Sequence, residues 1–277
     1  MPELHERIDL AHYRTPLANL DNVDPNDAGP YGTSGAGRAA AAEDLAILIG
    51  RMAELQRKFY ADGRFALLLV LQAMDAGGKD GTIRRTLSGL NPQGVRVSSF
   101  KVPTELELAH DFLWRIHRVV PRRGMIGVFN RSHYEDVLVV RVEELVPEPV
   151  WRARYGHIVA FERLLHDAGT RMLKVYLHID RAEQAARMRQ RLEDPTRHWK
   201  FDAGDLHVRG RWDDYRAAYV EAFARTGTVV APWLLVPANR KWYRDLVVAT
   251  AMVETLEALD LRWPMPRIDL SQFTVED

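Results

Sequence analysis

The sequence predicts an α/β fold in which a parallel sheet lies between two layers of helices. Three observations point to it. Short apolar runs recur along the 277 residues, and segments with helical spacing of apolar residues separate them. The runs are apolar at consecutive positions, which is typical of strands that are buried on both faces. Strands that alternate with helices connect through βαβ crossovers and form a parallel sheet.

The predicted elements follow one another in a regular order. Residues 1–38 lack periodicity and are rich in turn-forming residues, so we expect an N-terminal extension there. The predicted buried strands are the segments FALLLVLQA, MIGVFN, MLKVYLHI and VVAPWLLVP, and VRVSSF, which alternates apolar and polar residues, is a further strand candidate. The predicted helices cover about 40–62, 105–118, 151–168, 181–192, 212–225 and 240–260. The sequence shows no repeat or linker, so residues 1–277 are expected to form a single domain with a C-terminal tail at 263–277.

Composition and charge exclude several classes of protein. The 38 Lys and Arg residues balance the 38 Asp and Glu residues, whereas a protein that binds nucleic acid along its surface is usually basic. The chain has no cysteine, which excludes disulfides and thiolate metal sites. No apolar run reaches the roughly 18 residues that a membrane helix needs. We therefore expect a cytoplasmic protein without nucleic-acid or membrane partners.

The first predicted strand runs into a glycine pair and a lysine, in the segment LLLVLQAMDAGGKDGTI. A strand, a glycine-rich turn and a helix start form the context of a phosphate-binding loop. Backbone N–H groups of such a turn, together with the helix N-terminus, hold phosphate oxygens. The residues expected to bind phosphate are Ala76, Gly77, Gly78, Lys79, Asp80, Gly81 and Thr82. The alternative is an ordinary strand–turn–helix connection with a surface lysine.

Two residues of this segment depart from the phosphate-loop pattern G-x-x-x-x-G-K-[ST]. Ala73 stands at the first glycine position, and Asp80 stands where the pattern has the hydroxyl that binds Mg²⁺. Asp75 adds a second carboxylate inside the loop. A carboxylate beside phosphates requires a metal ion or strong cations to neutralise it. These acids therefore predict a divalent cation with Asp75 among its ligands.

An earlier segment, GAGRAA at 35–40, fits the dinucleotide-binding pattern G-x-G-x-x-A. That pattern is meaningful only after a strand, and this segment follows a turn-rich loop instead. We interpret it as a flexible entry to the first helix.

A second polar cluster follows the strand MIGVFN. Asn130 and Arg131 come at its end, and Glu135 and Asp136 follow shortly after. We predict that Arg131 binds phosphate, that Asp136 binds the metal together with Asp75, and that both act in catalysis. The carboxyl ends of parallel strands meet at one sheet edge, and an arginine there can clamp phosphate oxygens with two donors. The alternative for the two acids is a helix first turn, where carboxylates favour the dipole.

The segment after the fourth predicted strand is basic. Between Arg187 and Lys200 there are five Arg or Lys residues and two acids. Arg187 and Arg191 are four residues apart and so share one helix face, and the sequence EDP ends that helix. This pattern, at about 181–216, predicts a lid that closes over a polyanion and binds it through Arg187, Arg191 and Lys200. The alternative is a solvated charged surface.

Three segments in order resemble the polyphosphate kinase family 2: MDAGGKDGTI, FNRSHYEDV, and EDPTRHWKF followed by WDDY. NPQGVRVSSFKVPT and APWLLVPANRKWYR are also similar to that family, so the resemblance covers about residues 40–262. It implies a three-layer αβα P-loop NTPase-like fold with a helical lid, and homodimers or homotetramers. It also implies transfer of the terminal phosphoryl group between inorganic polyphosphate and a nucleotide, with Mg²⁺ or Mn²⁺ as the cofactor.

The resemblance further implies roles for single residues. Asp75 matches the loop aspartate that orients the acceptor phosphate and holds metal, Lys79 matches the loop lysine on the phosphate chain, and Arg131 matches the arginine of the second motif. The resemblance also implies nucleotide binding by Asn130, Arg131, Glu135 and Asp136. Many relatives carry Asp at the position of Asn130 and Asn at that of Glu135, and the combination here resembles the class III subgroup. That subgroup implies transfer to both AMP and ADP, with guanine nucleotides as further candidates and the reverse synthesis of polyphosphate also open.

Two other functions stay open at this level. An ATP-dependent kinase of the same fold would consume ATP without any need for polyphosphate. A nucleotide sensor without catalytic activity would bind nucleotide tightly, although a pure binding site gains little from extra carboxylates around its phosphate loop.

Overall fold

The computed structural model describes residues 8–275, which contain one five-stranded sheet. Its strands are β1 (Ala66–Ala73), β2 (Val95–Ser99), β3 (Ile126–Asn130), β4 (Thr170–His178) and β5 (Trp233–Pro237). The strand order is β2-β3-β1-β4-β5, and every neighbouring pair is parallel. Each of the four apolar runs and the alternating segment VRVSSF thus forms a strand, which confirms the predicted parallel sheet.

Helices cover both faces of the sheet. They are α1 (Gly35–Asp62), α2 (Lys79–Thr86), α3 (Glu105–Leu108), α4 (Trp114–His117), α5 (Val139–Val142), α6 (Glu148–Asp167), α7 (Arg181–Glu193), α8 (Ala203–Gly210), α9 (Trp212–Thr226) and α10 (Lys241–Glu257). Helices α1, α2 and α10 pack together on one face, and α5, α6 and α9 pack together on the other. The result is the predicted α/β fold in three layers. None of the helices in the described part of the chain combines the length and the apolar character that a membrane crossing requires.

The carboxyl ends of the central strands are level with one another. Ala73 at the end of β1 pairs with Leu177 of β4, and Asn130 at the end of β3 pairs with Leu71 of β1 and Ser99 of β2. The loops that follow β1, β2 and β3 therefore open at one sheet edge, which is where α/β proteins bind their ligands.

The N-terminal segment packs into the fold from Ile8 onwards. Ile8, Leu10 and Tyr13 are buried in the same hydrophobic core as the strands, and Arg14 forms an isolated antiparallel bridge with Leu234 of β5. Residues 1–7 of the predicted extension and residues 276–277 of the predicted tail lie outside the described residues.

Helix α1 begins at Gly35, earlier than the predicted position near residue 40. The Ser34 side chain accepts a hydrogen bond from the Gly37 N–H and so caps the helix. The segment GAGRAA is thus the helix itself and not a flexible entry to it. A 3-10 turn at Gly29–Tyr31 comes before it instead of a strand, so the dinucleotide-binding interpretation is excluded.

Two element predictions are wrong in detail. The helix expected over 105–118 is two single turns, α3 and α4. Between them the Asp111 side chain accepts a hydrogen bond of 2.9 Å from the backbone two residues later, and such local bonds compete with helix formation. The strand expected from Val229 begins at Trp233, because Val229 is fully exposed and Pro232 has no N–H for a sheet bond.

A buried ion pair lies beneath the carboxyl end of β3. Lys174 Nζ donates to Glu162 Oε2 at 2.8 Å, to the Tyr134 hydroxyl at 2.9 Å and to the Thr226 carbonyl at 2.7 Å. All three ammonium donors are therefore satisfied. Burial lowers the pKa of Lys174. Burial alone would raise the pKa of Glu162, but the Lys174 charge outweighs it and holds that pKa below its usual range. The strand MLKVYLHI is therefore not apolar throughout.

Candidate active site

A cleft of about 660 Å³ opens at the sheet edge between the loop after β1, the ends of β2 and β3, and the segment after α7. Its lining residues are Asp75, Ala76, Gly77, Gly78, Lys79, Asp80, Gly81, Ser99, Phe100, Lys101, Val102, Asn130, Arg131, Arg191, Lys200, Asp202 and Asp205. Five of these residues are cationic and four carry carboxylates. The phosphate loop, the end of β3 and the basic segment, which the sequence analysis identified separately, thus share one cleft.

The backbone of the loop depends on two glycines. Gly78 caps α2 with φ 102°, a left-handed conformation that favours glycine, and a Cβ there would lie 2.2 Å from Arg244 Nη1. A Cβ at Gly77 would lie 2.4 Å from the Cβ of Ala73. Among the described residues no side chain caps α2, so the N–H groups of its first turn remain available to an anion.

Lys79 turns its ammonium group back towards the loop. Its Nζ lies 3.3 Å from the Ala73 carbonyl oxygen, to which it donates. Burial, and then the charge of Arg131, lowers the pKa of Lys79, while nearby carboxylates such as Asp75 act in the opposite direction. A bound phosphate would offset the burial of this ammonium and the repulsion from Arg131, so the arrangement favours an anion.

Arg131 reaches across the cleft to the loop. Its Nη2 donates to Asp75 Oδ1 at 2.9 Å, and its Nη1 lies 3.7 Å from Glu135 Oε2. Arg131 has φ 63°, and a bulky residue keeps this left-handed conformation only where its surroundings impose it. Its own N–H donates to the Leu71 carbonyl at 3.1 Å, which fixes the turn. Burial lowers the pKa of Arg131, but Glu135 and Asp75 outweigh that effect and raise it.

Asp80 contacts the two other sides of the cleft. Asn130 Nδ2 donates to Asp80 Oδ1 at 2.8 Å, and Lys200 Nζ lies 3.6 Å from Asp80 Oδ2. The Asp80 side chain is 66 % exposed, so its carboxylate is open to a ligand. The position at which the phosphate-loop pattern has a hydroxyl therefore presents a carboxylate to the cleft.

The basic segment lies over the loop. Arg191 and Lys200 line the cleft, as a lid requires. Arg191 Nη1 donates to Asp205 Oδ2 at 2.7 Å. Burial, and then the charge of Asp75, raises the pKa of Asp205, so negative charge is crowded on this side of the cleft as well.

Arg187 lies behind the loop instead of inside the cleft. Its Nη1 donates to the carbonyls of Ala76 and Gly77, each at 3.0 Å. Its Nη2 donates to the Ala238 carbonyl at 2.6 Å, and its Nε donates to Glu183 at 2.7 Å. These donors are used by the protein, so the geometry gives Arg187 a role in holding the loop. It gives no support to the predicted phosphate contact.

Asp136 points away from the cleft, contrary to the prediction. It ends the 3-10 turn His133–Asp136, where Arg154 Nη1 donates to its Oδ1 at 2.9 Å. Arg115 Nη2 lies 3.9 Å from its other oxygen. Burial raises the pKa of Asp136 to about 6 despite both arginines. Asp136 is thus not placed to share a metal with Asp75.

Thr82 is also turned away from the cleft. Its side chain is fully buried, and its Oγ1 donates to the Gly78 carbonyl at 3.2 Å. The hydroxyl therefore stabilises the start of α2, and the structure does not support its predicted contact with phosphate.

Residues 36–263 match the profile of a family described as Polyphosphate kinase 2 (PPK2). The chain belongs to the polyphosphate kinase 2 family. It is 52% identical over 257 residues to the AMP/ADP-polyphosphate phosphotransferase of Meiothermus ruber. The match covers 93% of this chain and 95% of that protein. It is 46% identical over 234 residues to the ADP-polyphosphate phosphotransferase of Rhodopseudomonas palustris, with 80% and 81% covered.

A solved structure of the polyphosphate kinase 2 family has the same fold. The polyphosphate kinase 2 of Arthrobacter aurescens TC1 superposes with a TM-score of 0.91 at 43% sequence identity, and the match covers 96% of this chain and 95% of that one. The three-layer P-loop fold that the sequence predicted is therefore confirmed.

Sequence reasoning missed several residues of this polyphosphate kinase 2 cleft. Ser99 ends β2 and Lys101 follows it, and both line the cleft. The strand-end rule that led to Arg131 would have led to Lys101 as well. Arg244 lies under the loop next to Gly78. It comes from α10, far away in sequence, and no local pattern indicates it.

Proposed function

We propose that this protein is a polyphosphate-dependent nucleotide kinase that transfers the terminal phosphoryl group of inorganic polyphosphate to AMP and to ADP. The observation that carries the proposal is the shared cleft, in which Lys79 and Arg131 lie beside the carboxylates Asp75 and Asp80. The substrates named for the relatives from Meiothermus ruber and Rhodopseudomonas palustris support the same chemistry.

The cleft residues act by neutralising and aligning two phosphate chains. Two unit charges about 4 Å apart repel by about 4 kcal/mol at an intermediate dielectric. Lys79, Arg131 and the uncapped N-terminus of α2 offset this repulsion from one side, and Arg191 and Lys200 do so from the lid. Phosphoryl transfer has a loose transition state, so positioning and neutralisation provide most of the catalysis. We propose in-line transfer without a covalent intermediate on the protein.

The carboxylates of the cleft fit a bound Mg²⁺, and Mn²⁺ is a second candidate. Mg²⁺ takes one or two carboxylates and completes its octahedron with water and substrate phosphates. Asp75 and Asp80 fit this role, since both line the cleft and Asp80 is largely exposed. Across residues 8–275 no three acidic or histidine side chains converge as a metal site, so substrate oxygens would supply the remaining ligands. When bound, the ion supplies further positive charge between the two phosphate groups.

The nucleotide is assigned to the side of the cleft formed by β3. Arg131 can hold its phosphates bidentately, and Asn130 stands beside it at the strand end. Glu135 lines a smaller cavity together with Asp75 and Arg131, so we keep it as a nucleotide-side residue. Guanine nucleotides are further candidate acceptors, since a relative from Mycolicibacterium smegmatis that is 35% identical is named a GDP-polyphosphate phosphotransferase.

The test is a coupled assay with Mg²⁺, polyphosphate as the sole donor, and AMP or ADP as the acceptor. We expect ADP and ATP to form, and we expect the Lys79→Ala variant to be inactive. Equal product from that variant, or no product from the wild type, would refute the proposal. ATP consumption without polyphosphate would favour an ATP-dependent kinase. Tight nucleotide binding without turnover would favour a sensor.

The assembly is expected to be a homodimer or homotetramer. Light scattering after size-exclusion chromatography should give a mass of two or four times the 31.7 kDa of one chain. A monomer at working concentration would contradict this expectation.

A further inference from the structure

A buried amide lies between the two strand ends that carry the cleft cations. Gln72 is the polar residue of the segment ALLLVLQA, which forms β1, and its side chain is fully buried. Burying an amide among apolar side chains is unfavourable unless both of its ends form hydrogen bonds. A leucine would continue the apolar run without this requirement. The partners of Gln72 therefore indicate what the amide does.

The amide nitrogen of Gln72 contacts the turn that carries Arg131. Gln72 Nε2 donates to Ser132 Oγ at 3.1 Å, and Ser132 directly follows Arg131 in the chain. Ser132 is also fully buried, and its Oγ accepts a second hydrogen bond, of 3.2 Å, from the Tyr134 N–H. The Arg131 N–H donates to the Leu71 carbonyl. The left-handed turn at Arg131 is therefore attached twice to the end of β1, once through its backbone and once through Gln72.

The amide oxygen of Gln72 contacts a tyrosine from α9. The Tyr219 hydroxyl lies 3.4 Å from Gln72 Oε1 and 3.2 Å from the Ala73 carbonyl oxygen, and its proton is shared between them. Burial, and then the charge of Glu135, raises the pKa of Tyr219 well above its ordinary value, so the hydroxyl keeps its proton and remains a donor. The Tyr176 ring packs against the Tyr219 ring, with 4.5 Å between the ring centroids. Packing therefore fixes the direction of the hydroxyl.

The Ala73 carbonyl connects these side chains to the phosphate loop. The same oxygen accepts a hydrogen bond of 3.3 Å from Lys79 Nζ. A carbonyl oxygen has two lone pairs, so Tyr219 and Lys79 can both donate to it. We call Gln72, Ser132 and Tyr219 the strand-end network. Together with the Ala73 carbonyl, it forms a continuous series of hydrogen bonds from the Lys79 ammonium to the turn that carries Arg131.

We propose that Gln72 and Tyr219 are positioning residues, which set the distance between the Lys79 ammonium and the Arg131 guanidinium. This inference rests on the proposed function, in which both cations hold the phosphoryl group during its transfer. Gln72 lines neither the phosphate-loop cleft nor the smaller cavity beside it, so it acts through the cations. Phosphoryl transfer depends on positioning. A shift of either cation should therefore slow the transfer more than it weakens substrate binding.

The test compares Gln72→Leu and Tyr219→Phe with the wild type, using polyphosphate as the donor and ADP as the acceptor. Each change removes hydrogen bonds and keeps most of the side-chain volume. We expect kcat to fall about tenfold or more, because a misplacement of about 1 Å can cost on the order of a hundredfold in rate. The KM for polyphosphate and the KM for ADP should change by less than about twofold, since the groups that contact the substrates remain.

Gln56→Leu is the matched control. Gln56 is also buried, and its amide forms two hydrogen bonds, of 2.9 Å and 2.7 Å, with the backbone of Asn91. Asn91 comes before β2, so it lies at the amino end of the parallel sheet, opposite the cleft. This variant should lose about as much stability in urea as Gln72→Leu and should keep kcat within about twofold of the wild type. An equal fall of kcat in both variants would overturn the inference.

The double variant Gln72→Leu/Tyr219→Phe tests whether the two residues act together. Its kcat should be no more than about threefold below that of the more impaired single variant, because losses within one hydrogen-bond network are not additive. Fully multiplied losses would overturn the inference, as would a raised KM with an unchanged kcat.

Crystal structures of the wild type and of Gln72→Leu are the second measurement. They give the distance between Lys79 Nζ and Arg131 Cζ directly, and we expect this distance to change by about 1 Å in the variant, the size of shift at which catalysis suffers. An unchanged distance would overturn the inference. If the wild type transferred no phosphoryl group from polyphosphate, the proposed function would fail, and these two structures would still decide whether the strand-end network positions the cations.

Discussion

Neighbouring carboxylates at the phosphate loop differ in what they can bind because their partners differ. Asp75 has one arginine, Arg131, on its Oδ1 and lines the cleft. Asp80 has an amide and a lysine as partners and stays largely exposed. Asp136 has two arginines of its own and lies outside the cleft. A carboxylate can hold a divalent ion for bound phosphates only where its oxygens face the cleft.

The first prediction compares two isosteric changes at these carboxylates. Asp75→Asn should lower kcat by at least about a hundredfold, because it removes the carboxylate charge that would hold the divalent ion beside the reacting phosphates. Asp136→Asn should retain most of the turnover, since its contacts are to Arg154 and Arg115, neither of which lines the cleft. Steady-state kinetics measure kcat for each variant, and a thermal melt of each shows whether it is folded. Equal loss of turnover in two well-folded variants would show that Asp136 does act in the reaction.

His178 gives the second prediction, which concerns pH. It is buried at the end of β4, and burial, followed by the charge of Arg216, lowers its pKa to about 4. Its folded pKa lies below the ordinary value of about 6.5, so its contribution to stability is complete above about pH 6.5 and is lost as the pH falls towards 4. The loss amounts to about 3 kcal/mol, because one pKa unit corresponds to about 1.4 kcal/mol.

Urea unfolding between pH 7 and pH 4 measures this effect. His178→Phe should have a flatter dependence of the unfolding free energy on pH than the wild type, since the titrating group is gone. His157→Gln is the control, because His157 is exposed. Parallel curves for wild type and His178→Phe would show that His178 does not titrate in this window.

At the scale of elements, helix α7 and the segment after it occupy different positions within the predicted lid. Arg187 near the middle of α7 holds the phosphate loop from behind. Arg191 and Lys200, farther along, line the cleft. The first part of the predicted lid therefore supports the phosphate loop, and we expect the later part to contact the substrate.

The third prediction separates these two parts kinetically. Arg191→Ala and Lys200→Ala should raise the KM for polyphosphate several-fold, because each removes one partly exposed charge contact worth up to about 1 kcal/mol. Arg187→Ala should lower kcat with AMP and with ADP alike, since the loop loses its support. Arg189→Ala, an exposed change on the same helix, is the control. If Arg187→Ala raised only the KM for polyphosphate, that result would support the original prediction that Arg187 binds phosphate.

Sequence patterns predicted the elements better than the side-chain directions. Four of the five strands could be predicted because burial on both faces leaves a continuous apolar run, whereas β2 is largely exposed and is predicted from its alternation of apolar and polar residues. Lys79 and Arg131 could be predicted because strand ends meet at one edge. Asp136 could not, because a 3-10 turn after Arg131 rotates it out of the cleft. Arg187 could not, because its partners at Gly77 and Ala238 are distant in sequence.

At the scale of the whole molecule, one polar cluster connects β4 and the turn after β3 to the helices of one face. Lys174 of β4 contacts Glu162 of α6, Tyr134 after β3 and Thr226 at the end of α9. The Trp233 ring lies 5.1 Å from the same ammonium group. Tyr134 follows Arg131 by three residues, so the cluster also fixes the turn that carries the cleft arginine.

The fourth prediction concerns this pair. Lys174→Met should lower the free energy of unfolding by about 3–5 kcal/mol, because it leaves Glu162 buried without its counter-charge. The double variant Lys174→Met/Glu162→Leu should lose much less than the sum of the two single changes, since both charges are removed together. Urea titrations of the four proteins form a complete cycle. Additive losses would show that the two groups do not stabilise each other.

From the contact between Lys200 and Asp80 we expect that a phosphate entering the proposed site would do so by an exchange of partners. In the protein alone, the lid ammonium rests on a carboxylate that stands close to where a phosphate would lie. An arriving phosphate can take over Lys200, which frees Asp80 for the divalent ion that accompanies the substrate. Each ionic group then exchanges one counter-ion for another. None of them bears the desolvation cost of a charge that is left unpaired.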